Sequence, residues 1–578
     1  MMNESSEGNS RASLGQTAEG VSPQAWAGPI DRGSSWYVCL CAIVASITSF
    51  LIYLHRGEIL LFGDAVAHIN IARRVFDSRY PGLLQLGTVW LPLPHLLMMP
   101  FVIVNSWWQN GAAASIPSMI AYVLGVAGIF RLVRDAMAGT EISETKSKLT
   151  AYFAAAIYGL NPNLLYLQAT AMTESLYLAL FIWAIVNFGG FWRAIGEEND
   201  KSEALVGPSL RKCGIYLFGA CLTRYDGWFV AAIMAAVVVL VYFRTASTEL
   251  TKGSEIPPRK IAKQLLVFLL LVSAAPVTWL VYNGIVYRNP LEFANGPYSA
   301  KAIEQKTAVP GFPPHPGSHN LVVAGAYFSK SGLFSMAEGN WQQGWLWLAV
   351  LGTAWVLWQK NRLAPLLLLW LPLPFYMLSV AYGGVPIYVP TWWPFSFYNI
   401  RYGVQLLPAL AVFVAIAASF VVSMMVTDTG KRMIAMLAVG FVVVSYAGVW
   451  RSGPVAFREA WVNSRTRLQL ENQLTGELKK LPRNSTLLMY LGEHVGSLQD
   501  AGIPLRRAIS ESSHRVWVQP ADAGGLWERT LADPPAHVDF VIAFEGDPVW
   551  RAVHDRNLPE LARIEVTGQK TVLILRAR

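Results

Sequence analysis

The chain has 578 residues, of which 53 % are hydrophobic and only 14 % charged, and its mean hydropathy is +0.36. Soluble proteins carry about 25 % charged residues, so the composition excludes an ordinary soluble globular protein and predicts a polytopic membrane protein. The formal net charge of +9 does not call for nucleic acid, because Lys and Arg gather in short loops between apolar runs, as they do on the cytoplasmic side of membrane proteins.

Residues 1–35, rich in Ser, Gly and Glu, read as a disordered cytoplasmic tail. They are too acidic, and too far ahead of the first apolar run, for a cleaved signal peptide. Eleven spans are predicted, near 36–54, 115–133, 150–167, 174–192, 213–222, 228–243, 263–286, 342–358, 363–381, 402–426 and 433–450. The stretch 91–108 is apolar enough for a twelfth, but Pro92, Pro94 and Pro100 break a helix there. Left out of the bilayer, it keeps Arg131, Arg134, Lys146, Lys148, Arg211, Lys212, Lys431 and Arg432 on one cytoplasmic side, as positive-inside bias requires. Outer loops then cover 55–114 and 288–341, and the span region runs from 36 to 450. Residues 451–578 change to ordinary globular composition and predict an outer α/β domain, with strands near 487–491, 538–544 and 571–575 and no catalytic motif. Cys39, Cys41, Cys213 and Cys221 fall in or beside spans and read as packing residues.

With that topology the scarce ionisable residues at span ends share the outer face. After the first span, a 3.6-residue period puts Ala67, Ile71, Ala72, Val75 and Phe76 on one helix side, opposite Asn70, Arg73, Arg74 and Asp77. This predicts a helix lying in the interface, with Asp64 and His68 on or beside its apolar half. A carboxylate there is costly without a partner or a task; the plain alternative for Asp64 is an N-cap. Glu174, after Thr173, opens an apolar helix and could serve the helix dipole alone. Thr223-Arg224-Tyr225-Asp226-Gly227-Trp228 is a charged turn between apolar runs, explicable as a local Arg224–Asp226 pair. Arg401 and Tyr402 enter the tenth span, where Arg401 could simply snorkel. Taken together they describe a carboxylate base, two arginines able to clamp a phosphate, and aromatic platforms from Trp90, Tyr398 and Tyr402. Interfacial aromatic belts are the competing explanation for those rings.

An acid just after the first span, an amphipathic outer-loop helix, a proline-rich continuation, and many spans followed by an outer α/β domain resemble the type C fold of membrane glycosyltransferases. That superfamily includes protein O-mannosyltransferases, aminoarabinose transferases and oligosaccharyltransferase catalytic subunits. The similar segments are Asp64 to Phe76, Asn161-Pro162 to Glu174-Ser175, and Thr223 to Trp228. The resemblance implies a bacterial inner-membrane enzyme, with its catalytic loops and C-terminus extracytoplasmic, taking a sugar from a polyprenyl-phosphate donor to a lipid, glycan or protein acceptor. It assigns the general base to Asp64, while phosphate binding by Arg224 and Arg401 is read from the residues themselves. Many relatives carry two adjacent acids where this chain has Asp64-Ala65, so a second acid would come from Glu174 or Asp226. His68, one turn along on the apolar helix side, reads first as a structural histidine; the functional alternative has it hydrogen-bond Asp64 or act in its place. No nucleotide-binding loop is visible, which disfavours a nucleotide-sugar donor. No essential metal is expected, and a divalent cation is the one cofactor left open, with His315 and His319 as an alternative pair in a lid-like loop 289–340. The competing classes are a lipid or saccharide transporter or flippase, and a non-catalytic glycan-assembly subunit.

Overall fold

The computed structural model describes residues 32–138, 143–196, 200–252, 258–308, 310–359, 363–492, 494–513 and 522–578. Most of the tail expected over 1–35 lies outside them. The protein is an integral membrane protein built of helices, with a small C-terminal sheet domain. Among the described residues, eight helical segments are long and apolar enough to cross a bilayer: Ser35–His55, Ala112–Met137, Glu174–Gly196, Asp226–Arg244, Ala262–Val286, Ala364–Tyr382, Ile400–Met424 and one within Asp428–Leu478. The three remaining expected spans are helical at Glu144–Gly159, Asp200–Cys221 and Trp341–Trp358 but fall short in length or apolarity. A count of eleven therefore does not follow from length and composition.

Two boundaries move for identifiable reasons. The span expected over 150–167 stops at Gly159, and a separate helix, Pro162–Gln168, follows. Pro162 cannot continue the first helix but suits the first turn of the next, where the Asn161 side chain accepts from the amides of Asn163 and Leu164. The segment 91–108 forms the ten-residue helix Leu93–Val102 and the short Asn105–Gln109. At about 1.5 Å per residue, the longer of these covers half of a ~30 Å hydrocarbon core, so it does not span.

The loop 288–341 is not structureless. It holds the helices Glu292–Asn295, Ala300–Thr307 and Leu321–Met336, and the last is scaffold rather than lid. Its Phe328, Ser331, Ser335 and Met336 are buried, and Ser331–Gly332 meets Gly403 backbone to backbone.

After the break at Gly453-Pro454, the helix Val455–Leu478 leads into a five-stranded sheet. Its strands are β1 (Leu487–Met489), β2 (Ala508–Ile509), β3 (Phe540–Phe544), β4 (Glu560–Ile564) and β5 (Val572–Arg576), in the order β2-β1-β3-β5-β4. β1 runs parallel to β2 and β3, while β5 is antiparallel to β3 and β4. β2 is two residues long and β4 is a largely exposed edge, so neither carries the apolar run that made β1, β3 and β5 legible.

This domain rests on the first outer-loop helix, Gly63–Arg74. Asn70 donates to Gln499 at 2.5 Å, Trp108 Nε1 donates to Asn70 at 3.1 Å, and Gln499 donates to the Trp108 carbonyl at 2.7 Å. Arg506 reaches Asp77 at 3.2 Å. The polar side of that helix, expected to face water at the interface, is thus covered by protein.

Candidate active site

The helix Gly63–Arg74 begins without a side-chain cap. Asp64 turns its carboxylate to Arg401, whose Nη2 donates to Oδ2 at 2.5 Å, so capping does not account for Asp64. The Asp64 side chain is 43 % exposed, against 6 % for Arg401. Snorkelling is excluded for a guanidinium that buried. Arg401 is anchored from its other side by Glu459, which is 1 % exposed. Oε1 accepts from Nη1 at 2.7 Å and Oε2 accepts from the Arg401 amide at 3.0 Å. The backbone reaches this position through Asn399, at φ 52°, a left-handed conformation that Asn tolerates better than most residues. Its side chain donates to the Pro386 carbonyl at 2.9 Å.

Arg224 forms the second half. Nε lies 3.2 Å from Asp226, Nη1 donates to Thr173 at 3.1 Å, and Nη2 donates to the Tyr376 hydroxyl at 2.8 Å. The local Arg224–Asp226 pair exists, but it is only one side of this arrangement. Glu174 stands between the arginines, its Oε1 3.6 Å from Arg224 Nη1 and 3.7 Å from Arg401 Nε. It is fully buried, and neither carboxylate oxygen has a hydrogen-bond partner among the described residues. Both guanidiniums face the Tyr402 ring, at 5.1 and 5.0 Å, and Arg401 also lies over Phe62 at 4.8 Å.

Residues expected to meet from four distant stretches therefore do meet: Asp64, Glu174, Arg224, Asp226, Arg401 and Tyr402. Tyr398 is exposed and pairs with Tyr388 through a β-bridge, within electrostatic reach of Asp64 and Arg401. His68 does not bond Asp64. Its Nδ1 shares a 2.9 Å hydrogen bond with His95 Nε2, and its ring packs on Trp90 at 4.9 Å. Only 3 % of it is exposed. Burial pushes its imidazole pKa down to about 4, Asp64 opposing and Arg224 and Arg401 reinforcing the shift, so it is neutral near pH 7.

Glu459 and Tyr376 were not anticipated. Glu459 follows the last span, in a region without a motif, yet it sits among Val455, Ala456 and Ala460 on the buried side of its helix. An acid in an apolar stripe is the signal that would have singled it out. Among the described residues, no group of three His, Cys, Asp or Glu converges as metal ligands would. His315 pairs with Glu304 at 2.9 Å while His319 lies against Tyr382.

The cluster sets the four carboxylates of Asp64, Glu174, Asp226 and Glu459 around two guanidiniums. An anion that binds Arg401 through Nη2 must displace the Asp64 carboxylate, whereas the Nη atoms of Arg224 donate to the hydroxyls of Thr173 and Tyr376. Asp64 is the exchangeable one, being exposed and held by a single bond.

No protein-family profile and no curated protein matches the chain. Among solved structures it is similar to ArnT from Cupriavidus metallidurans bound to undecaprenyl phosphate. The TM-score is 0.50 at 13 % identity, covering 94 % of this chain and 98 % of that one. It is also similar to ArnT from Cupriavidus metallidurans in the apo state, with a TM-score of 0.45 at 13 % identity over 91 % and 97 % of the two chains. The first likeness extends over both the helical region and the C-terminal domain and shows the type C glycosyltransferase fold that the motifs resemble.

Proposed function

We propose that the protein is a glycosyltransferase that moves a sugar from a polyprenyl-phosphate donor to an acceptor hydroxyl on a lipid, glycan or protein, at the extracytoplasmic face of a bacterial cell membrane. The observation that carries this reading is the pairing of an accessible acid, Asp64, with a deeply anchored guanidinium, Arg401, where several helix ends meet. It is supported by a fold shared with a protein crystallised with undecaprenyl phosphate. Apolar helices around the site suit a donor whose tail stays in the bilayer.

In this reading the donor phosphate takes the place of the Asp64 carboxylate on Arg401, and Arg224 supplies a second cation nearby. Asp64, released, accepts the proton of the acceptor hydroxyl as its oxygen bonds to the anomeric carbon. The bond from that carbon to the phosphate oxygen breaks, and polyprenyl phosphate leaves with the electron pair. Negative charge grows on the leaving group, where preorganised donors are worth about 3–4 kcal/mol each. General-base assistance contributes about 10²–10⁴ in rate. Glu459 keeps Arg401 in place throughout, since its two bonds do not compete with the phosphate for Nη2.

The test is Asp64→Asn in membranes supplied with a radiolabelled polyprenyl-phosphate sugar. Transfer is expected to fall by about 10²–10⁴ while donor binding persists or tightens, because the competing carboxylate has lost its charge. Undiminished transfer by a folded variant removes Asp64 from the mechanism.

A further inference from the structure

Trp90 stands beside the Asp64 helix, and its stretch of chain is held from two sides. The Thr88 hydroxyl donates to the Asn283 side chain near the end of the helix Pro258–Val286. The Val89 carbonyl accepts from the Tyr225 hydroxyl at 2.9 Å, and the Leu93 amide donates to the Leu222 carbonyl at 3.0 Å, which ties the stretch to the turn that carries Arg224. The indole packs on the His68 ring at 4.9 Å between centroids, yet it remains 37 % exposed. A tryptophan of an interfacial belt needs neither a fixed backbone nor a buried imidazole beneath it. A rigid ring left open to the outside costs little to order when a ligand lies on it.

His68 and His95 decide which hydrogen-bonding group lies next to that ring. Burial holds both imidazoles below their ordinary pKa, so both are neutral near pH 7 and each carries one N–H. The 2.9 Å bond joins His68 Nδ1 to His95 Nε2. His95 Nδ1 is buried and has no hydrogen-bond partner among the described residues. A proton on it would be an orphaned buried N–H, which folded proteins tolerate less often than an orphaned acceptor. The hydrogen-bond network therefore assigns the His95 proton to Nε2, donating to His68 Nδ1, and leaves the His68 proton on its own Nε2. That N–H has no acceptor among the described residues and, unlike His95 Nδ1, is not sealed in by its surroundings. Asp64 lies one helical turn away, with Cβ atoms about 5–6 Å apart.

An open indole takes the apolar C–H face of a pyranose, and a neutral N–H beside it takes a ring hydroxyl. We propose that Trp90 and His68 form the acceptor subsite and that the group they seat is a neutral sugar ring, stacked on the indole with one hydroxyl oxygen accepting from His68 Nε2 and another hydroxyl reaching Asp64. The acceptor is then a glycan or glycolipid and not a protein side chain. Calling this the acceptor subsite rests on the glycosyltransferase reading; the binding of a sugar here does not. In that reading a donor sugar is held through its phosphate by the arginines, whereas an acceptor lacks such an anchor and needs a surface of its own. His95 is a positioning residue, acting through the proton it gives to His68.

The experiment measures binding to the full chain in nanodiscs with no donor present, using the methyl glycosides of glucose, galactose and mannose as separate probes and N-acetylserine amide as the protein-type probe. At least one glycoside is expected to bind about tenfold or more tighter than the serine probe. Trp90→Ala should remove that margin, and Trp90→Phe, which keeps a ring, should recover part of it. His68→Phe keeps a ring beneath the indole and removes the donor, and is expected to weaken the glycoside by about two- to tenfold. In the parent, nitrogen-15 resonances of labelled histidine should show His68 Nε2 protonated at pH 7 and shifting as the glycoside is added. The proposal is overturned if no glycoside binds the folded protein, if the serine probe binds as tightly, if Trp90→Ala binds glycosides as the parent does, or if His68 Nε2 carries no proton. Transfer from a labelled polyprenyl-phosphate sugar is measured alongside. Transfer that depends on Asp64 in a protein that binds no glycoside sinks this subsite and leaves the enzyme reading standing. Glycoside binding through Trp90 in a protein that transfers no sugar does the reverse.

Discussion

Glu459 shows what one buried carboxylate does for a guanidinium. Removing one partner of a buried pair typically costs about 3–5 kcal/mol, because the remaining charge stays desolvated. Glu459→Ala is therefore expected to lower the unfolding midpoint and to raise the KM for the donor, since Arg401 loses the acceptors of both Nη1 and its amide. Glu459→Gln keeps an acceptor and should recover much of the stability; equal loss in both variants would show that hydrogen bonding is not what Glu459 supplies. His68 gives a second expectation. Its folded pKa of about 4 lies below the ordinary 6.5, so the unfolded chain takes up the proton first as pH falls. The stability involved is fully present above pH 6.5 and is lost between 6.5 and 4, on the order of 3 kcal/mol. Thermal unfolding from pH 7 to 4.5 should show a slope that His68→Gln flattens, and an unchanged slope would mean that His68 is protonated without penalty. At this scale the sequence was largely legible for Asp64, Glu174, Arg224, Asp226 and Arg401, because charges are scarce at span ends and each stands out. For His68 the structural reading agrees with its burial, and only the alternative bond to Asp64 fails, because its partner is His95, 27 residues away.

Among elements, the crossing of the helix Leu321–Met336 with the turn Ile400–Leu406 decides where Arg401 points. The backbones touch so closely that a Cβ on Gly403 would fall on the main chain of Ser331 and Gly332. Neither can yield as a side-chain tip could. Gly403→Ala is expected to cost about 1–3 kcal/mol through overpacking and to depress kcat by displacing Arg401, read as a fall in both melting temperature and transfer rate. A variant with normal activity would show that the two elements can separate without moving the arginine. This crossing was hidden in the sequence. Periodicity reports which side of a helix is apolar, but not which glycine meets which backbone, and the Gly- and Pro-rich composition of 289–340 resembled a loop although it contains the packed helix Leu321–Met336. The break at Asn161-Pro162, by contrast, has an explicit signal in the proline and its capping neighbour, which the apolar flanks on either side masked.

Across the whole molecule, the C-terminal domain and the first outer loop hold each other through buried polar contacts. Asn70, Gln499 and Trp108 form a closed set of three hydrogen bonds, and Arg467 donates to the carbonyls of Leu60 and Leu61 at 3.0 and 2.9 Å. A double-mutant cycle of Asn70→Ala and Gln499→Ala is expected to give a coupling of about 1 kcal/mol in unfolding free energy. Strict additivity would mean that the domain only leans on the loop. The polar flank of the helix Gly63–Arg74 read as water-facing because the polar residues of one distant segment do not announce that another will cover them. The helix Val455–Leu478 carries this integration furthest. It opens the last part of the chain, where composition draws a border, and yet it supplies the buried acid behind Arg401. A chimera joined at that border, borrowing residues 455–578 from a relative, would inherit an incomplete anion cradle unless the donor brought an acid in the same register. The seam along which this fold can be cut and recombined therefore lies beyond the helix, near residue 479, rather than where the membrane ends.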